Sequence, residues 1–325
     1  MNRFGFILRR LGKAIVVILG IAIVNFVLIR LAPGDPATVM AGEAGAADEK
    51  FVQQLRQEFG LDRPMYEQLA IYVKQVATFD LGYSYRQRRT VASLIFDRLP
   101  NTLLLTGTAY VVALGLGILL GVLAAGRVGR WTDSVITVLA LAFYATPIFW
   151  TGLMGILLFS ITLNWLPAFG NISVGANLKG FAYALDVGKH LILPALTLAL
   201  FYVATYARIT RASMLEVASL DFVKTARAKG LPPGRITRAH ILRNAMLPVI
   251  TLAGIQAGQL IGGSILIETV FAWPGIGRLA FDALLQRDYS LLLGVFLLTS
   301  VMVILFNLAT DLVYSLVDPR IDVGA

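Results

Sequence analysis

Long apolar runs alternate with short polar connections along this chain, and six of the runs are long enough to cross a bilayer. A hydrocarbon core of about 30 Å asks for about 20 mostly apolar residues in a helix. The runs are 14–29, a stretch within 99–126 that carries no charge, one from near 134 to near 164, then 190–207, 248–267 and 290–310. Lys13 and Arg30 flank the first run, where their long stems can snorkel to the interfaces. Pro147 and Pro194 fall inside or near two runs; in a bundle, neighbouring helices re-satisfy the backbone groups a proline frees. The first run follows Arg3, Arg9, Arg10 and Lys13, as a signal peptide would. It is longer than a usual signal core and no small-x-small cleavage site follows, so it reads as a span.

The polar remainder divides the chain into three parts: 1–94, with the first span and a largely polar segment; 95–316, with five closely connected spans; and the tail 317–325. Within the first part, 48–59 has helical spacing through Phe51, Val52, Leu55 and Phe59, with Gly60 as its stop. Residues 65–78 form a second helical candidate. There is no internal repeat and no heptad seam.

Charge fixes the orientation. Basic residues crowd the N-terminus, the Arg127–Arg130 turn and the 208–243 segment, whereas the two short loops on the other side hold only Lys179, Lys189, Arg278 and Arg287. Basic loops stay inside, so both termini are expected to be cytoplasmic. The segment 31–98 is too long for that rule and its acids balance its bases. The chain of 325 residues is 57% hydrophobic and 14% charged, with net charge +9. Membrane topology, rather than nucleic acid, accounts for that charge.

Composition also removes whole classes of chemistry. There is no cysteine, and His190 and His240 lie far apart. No Gly-x4-Gly-Lys-Ser/Thr stretch offers a phosphate cradle, and no His-Glu-x-x-His or paired-carboxylate pattern occurs. The spans offer neutral polar groups: Asn25, Thr106, Tyr110, Tyr202, Thr205, Tyr206, Gln256, Gln259 and Asn307. These either bond between helices or line a polar path. Tyr202, Tyr206, Gln256 and Gln259 are the candidates for the path. Ion-coupled carriers keep a charged group near the midplane, and none is evident here.

The segment 208–247 is the most shaped part of the sequence. Asp221 is placed to cap a helix, helix formers follow through Lys229, Gly230 provides a left-handed stop, and Pro232-Pro233 prevents continuation. About two turns are too short to be stable alone in water. Phe222, Val223 and Ala226 offer an apolar side for docking; Lys224, Arg227 and Lys229 stay wet or meet acids. Lying on anionic lipid is the other physical reading of such a helix.

This loop resembles the ATPase-coupling loop of binding-protein-dependent ABC importer permeases, whose pattern is Glu-Ala-Ala, three residues, Gly, nine residues, Ile-x-Leu-Pro. Lys224-Thr225-Ala226 stands at the Glu-Ala-Ala positions relative to Gly230, and Leu247-Pro248 matches the end. Lys224 departs from the glutamate, and the gap to Leu247-Pro248 is longer than the general pattern. Thr225-Ala226-Arg227-Ala228-Lys229-Gly230-Leu231 is similar to the dipeptide, oligopeptide and nickel branch. So are Arg30-Leu31-Ala32-Pro33-Gly34-Asp35-Pro36-Ala37, Gly60-Leu61-Asp62-Arg63-Pro64, Asp80-Leu81-Gly82-Tyr83-Ser84, Trp273-Pro274-Gly275-Ile276-Gly277-Arg278 and Arg287-Asp288-Tyr289. The motifs recur in order over nearly the whole chain, as in that branch's B-type subunit. Locally, Pro33-Gly34-Asp35-Pro36 reads as a tight turn and Trp273-Pro274-Gly275 as a turn with Trp at the interface.

The resemblance implies an all-α integral membrane protein with six transmembrane helices in the type I ABC importer permease fold and an extracytoplasmic segment after the first helix. It implies a non-catalytic subunit in the bacterial plasma (inner) membrane that imports peptides or a related small solute. The implied partners are a homologous second permease chain, two ATPase subunits that bind ATP and Mg, and an extracytoplasmic solute-binding protein. No cofactor is implied for this chain. Phe222, Val223, Lys224, Thr225, Ala226, Arg227, Ala228, Lys229 and Gly230 are the implied coupling residues. A stand-alone secondary transporter or channel is the alternative.

Overall fold

The computed structural model describes residues 3–31, 38, 41, 49–58 and 62–317. Its long helices follow the apolar runs: α1 (Arg3–Leu31), α4 (Val91–Ala125), α7 (Phe181–Ala218), α10 (Arg243–Val270) and α12 (Tyr289–Val317). Shorter elements lie between them. These are α2 (Glu49–Glu58), α3 (Met65–Ala77), a hairpin of β1 (Tyr83–Ser84) and β2 (Arg89–Thr90), α5 (Trp131–Ala145), α6 (Ile148–Gly155), α8 (Asp221–Ala228), α9 (Pro233–Arg235) and α11 (Ile276–Gln286). The expected helices at 48–59 and 65–78 are α2 and α3. The Pro33–Pro36 turn, the Gly60 stop and the tail beyond 317 lie outside the described residues. The all-α expectation holds apart from the two-residue antiparallel strands, in which Tyr83 faces Thr90 and Ser84 faces Arg89.

Among the described residues, four helices are long and apolar enough to cross a membrane, and a bent pair makes up to five. The apolar part of α1, Gly12–Leu28, is shorter. The third expected span is not a straight helix. It breaks at Pro147, and its two halves, Trp131–Ala145 and Ile148–Thr162, meet at 105°. A proline cannot donate the backbone hydrogen bond that would carry α5 onward, and Thr146 before it is held extended at ψ 134°. Pro194 sits inside α7 without ending it. The second half of the broken pair ends in a π-helical stretch, Ile156–Thr162.

The chain divides into two compact units: residues 1–100 with 275–325, and residues 101–274. In the first unit α1 packs on α3 and α12 through Ala22, Val76 and Leu297. The hairpin is fixed by its side chains: Ser84 Oγ donates to the Asp288 carboxylate, whose other oxygen accepts the Leu291 N–H at 3.1 Å and so caps α12. Two motifs 204 residues apart in sequence thereby become one site. Gly294 lets α12 lie against Val91, where a Cβ would overlap the valine side chain.

The second unit is built around α7, which packs on α5, α6 and α10. Its core holds Leu105, Ala109 and Ala113 of α4, Leu198, Tyr202 and Tyr206 of α7, and Ile267, Phe271 and Trp273 at the end of α10 and beyond. Gly117 and Gly121, four residues apart, bring α4 against Tyr206, Ala207 and Thr210. Small residues at such spacing let helix backbones approach, which is how helices gain packing where lipid removes the hydrophobic drive. Trp273 is fully buried and its Nε1 donates to the Asn101 carbonyl at 2.9 Å. The expected interfacial tryptophan is therefore a core residue: the turn carries the ring inward, where it finds an apolar pocket and a carbonyl together.

Candidate functional site

The 208–247 segment belongs wholly to the second unit, and the structure gives it a defined shape. α7 ends at Ala218, and after two intervening residues α8 begins at Asp221. The capping residue is Leu220 rather than the expected Asp221, and no side-chain cap bond forms. Asp221 instead occupies the first helical position, where its charge still favours the positive helix end. It pairs with Lys224 at 2.8 Å in full solvent.

The far end of α8 is closed by two backbone bonds. The Leu231 N–H donates to the Ala226 carbonyl at 3.3 Å and the Gly230 N–H to the Arg227 carbonyl at 3.0 Å. This is the Schellman pattern, which needs a left-handed residue, and Gly230 supplies it at φ +73°. No atom crowds the position of a Cβ at Gly230, so backbone conformation alone selects glycine there. Pro232-Pro233 then starts α9, which widens into a π-helical turn, Ile236–Leu242, before α10.

Burial divides α8 into two faces. Val223 (0% exposed) and Ala226 (5%) join Met214 and Val217 of α7, Ile236 and Ile241 of the π-helical turn, and Ala245 of α10 in one apolar cluster. Val122 and Ala125 at the end of α4 pack on it, as does Leu231. Burying Val223 stabilises this arrangement by about 1.5–3 kcal/mol, so α8 finds within its own chain the surface that a two-turn helix needs. Val223 and Ala226 are thus withdrawn from the expected docking side. The exposed face of α8 carries Phe222 (42% exposed), Lys224, Thr225, Arg227, Ala228 and Lys229.

The candidate path residues separate. Tyr202 and Tyr206 lie inside the core of the unit, Tyr206 fully buried beside Gly117. Gln256 on α10 is half-buried, and among the described residues its Oε1 meets no hydrogen-bond partner. Gln259 is also on α10, but its side chain lies outside the described residues.

Two polar constellations escaped the sequence reading. Arg211 of α7 grips Asp133 of α5 through both carboxylate oxygens at 2.7 and 2.8 Å, while the Gly129 N–H donates to the same group at 3.2 Å. This bidentate pairing ties the start of α5 to the last turns of α7. Glu268, fully buried in the last turn of α10, accepts hydrogen bonds from Thr102 at 2.7 Å and Ser264 at 3.1 Å. Both carboxylates fall just outside the apolar runs, where a window that searches for uncharged stretches stops. Among the described residues no cluster of His, Asp or Glu could hold a metal.

Comparison with known proteins agrees with this shape. The Dipeptide transport system permease protein DppB of Escherichia coli (strain K12) is 43% identical over 333 residues, covering 97% of this chain and 98% of that protein. The Di/tripeptide transport system permease protein DppB of Pseudomonas aeruginosa (strain UCBPP-PA14) is 42% identical over 330 residues, with the same coverage. In fold, the chain is similar to a chain of the inward-facing MetNI methionine ABC transporter, with TM-score 0.56, 18% identity, and coverage of 70% of this chain and 97% of that one. Residues 1–106 match the N-terminal family described as Binding-prot-dependent transport system membrane comp, N-term. With residues 117–323 matching its main part, the chain belongs to the family described as Binding-protein-dependent transport system inner membrane component.

Proposed function

We propose that this chain is one permease subunit of an ATP-driven importer of peptides, and that it moves when ATPase subunits pull or push on α8. The observation that carries this reading is the two-faced α8. Its inner face is locked into a cluster built from the ends of α4, α7 and α10, so displacement of α8 displaces three long helices together. Its outer face leaves Lys224, Arg227 and Lys229 in solvent. Rocking of helices around a central path is how such a push would open one side and close the other. The names of the relatives from Escherichia coli and Pseudomonas aeruginosa support peptides as the solute.

The finer expectations belong to the same proposal. The chain would cross the plasma (inner) membrane six times, α1 supplying one crossing and the bent α5–α6 pair another, with both termini inside. The segment after α1 would lie outside, with the division at 94 and 316 kept as expected. A homologous second permease chain would complete the path, with Gln256 and Gln259 lining it. ATP and Mg would sit in two ATPase subunits, and a solute-binding protein would deliver the peptide. The chain itself would perform no covalent step and hold no cofactor.

The deciding experiment reconstitutes the assembled transporter in vesicles. Gly230→Val leaves charge untouched but forces a Cβ into a left-handed turn. It is expected to lower both ATPase association and peptide uptake, with membrane insertion unchanged. Wild-type uptake by Gly230→Val, alongside loss of uptake on neutralising Lys224, Arg227 and Lys229, would mean that α8 only rests on lipid.

A further inference from the structure

Between α5 and α7 the second unit has a crevice of about 700 Å³ counting its open mouth. Its wall is mostly small and apolar, with Ile136, Ala140 and Leu141 of α5 opposite Ala204 and Ala207 of α7. At its edge Arg208 lies over the Tyr144 ring, with Cζ 5.7 Å from the centroid. Tyr144 in turn stacks on Phe201 at 5.5 Å. Among the described residues no carboxylate pairs with Arg208, whereas Arg211, one turn along the same helix, is fully occupied by Asp133. Leu141, which lines the crevice, is 60% exposed.

We propose that this crevice binds an anionic phospholipid, its acyl chain along the α5–α7 wall and its phosphate on Arg208. The wall favours hydrocarbon over a peptide, whose backbone would be left without hydrogen-bond partners along a surface of alanine, isoleucine and leucine. A guanidinium with no carboxylate partner on an apolar surface recruits a counter-charge, and the Tyr144 ring holds it at the edge of the crevice. Basic pockets between helices at the inner leaflet are where anionic headgroups settle. The inner-leaflet placement rests on the orientation proposed above, but the binding itself does not.

Native mass spectrometry of the purified full chain, titrated in detergent with phosphatidylglycerol or phosphatidylcholine, tests this without any transport assay. Wild type is expected to bind phosphatidylglycerol about fivefold more tightly than phosphatidylcholine, the effect of one basic residue near a headgroup. Arg208→Gln, at an exposed position, is expected to erase the preference. Ala140→Phe fills the crevice and is expected to weaken both lipids. Lys179→Gln, the same loss of charge in a loop before α7, is expected to keep the preference. Equal binding of the two lipids by wild type, or an unchanged preference in Arg208→Gln, overturns the site. So does a photo-crosslinker at position 141 that, in the assembled transporter, captures the second permease chain in place of lipid.

Discussion

Helices α8 and α11 solve the same backbone problem with different surfaces. Each is a short amphipathic helix between two long ones, and each ends in the same pair of bonds. In α8 these are Leu231 N–H to Ala226 and Gly230 N–H to Arg227; in α11 they are Asp288 N–H to Ala283 at 2.9 Å and Arg287 N–H to Leu284 at 3.1 Å. The left-handed residue is Gly230 in the first and Arg287, at φ +60°, in the second. Arginine there costs about 1 kcal/mol or more. The neighbouring Asp288 offsets that cost, since it anchors the hairpin and caps α12. Outward, α8 presents cations, whereas α11 presents Phe281, Leu284 and Leu285, the last 68% exposed. The stop is set by local backbone rules. The outer faces differ in chemistry: cationic and polar on α8, apolar on α11.

Breaking the inner face of α8 should have the largest effect. Val223→Asp puts a carboxylate into the cluster of Met214, Val217, Ile236 and Ile241, which offers it no charged partner. The expected destabilisation is about 3 kcal/mol or more, read as a lower unfolding temperature of the purified chain. Phe222→Asp on the outer face should leave that temperature nearly unchanged. Equal losses for the two would erase the distinction between the faces.

The two stops should respond with opposite signs. Gly230→Ala is expected to cost about 1 kcal/mol through the left-handed backbone, while Arg287→Gly relieves strain and raises stability by about 0.5 kcal/mol. Denaturant titration of both variants checks this. A loss of stability in Arg287→Gly would show that the arginine side chain, not the turn, sets the conformation of that stop.

Smaller still is the effect of charge on the outer face. Arg227→Glu should weaken ATPase association several-fold at low salt, with the difference shrinking as salt rises, because exposed charges are screened beyond about 10 Å at 0.1 M. Leu285→Ser on α11 should leave ATPase association untouched. Loss of association in Leu285→Ser but not in Arg227→Glu would exchange the roles given to the two helices.

Several of these features were legible without a structure. The apolar runs located every long helix, because a chain segment that must satisfy its backbone inside lipid has no other regular solution. The Gly230 stop and Pro232-Pro233 break were visible because they depend on φ alone. The two faces of α8 were not. Phe222, Val223 and Ala226 look alike as an apolar side, and only the ends of α4, α7 and α10 decide that Val223 and Ala226 turn inward while Phe222 remains half exposed.

Local rules, which act over a few residues, thus set spans, caps and turns from sequence alone. The tertiary structure decided whatever needed two distant segments. It paired Asp133 with Arg211, placed Glu268 on Thr102, joined Ser84 to Asp288, and turned Trp273 from the expected interface into the core. The physical reason is common to all four. A polar side chain buried in an apolar surrounding is tolerable only where a partner waits, and no property of the side chain's own neighbours in sequence says where that partner will be.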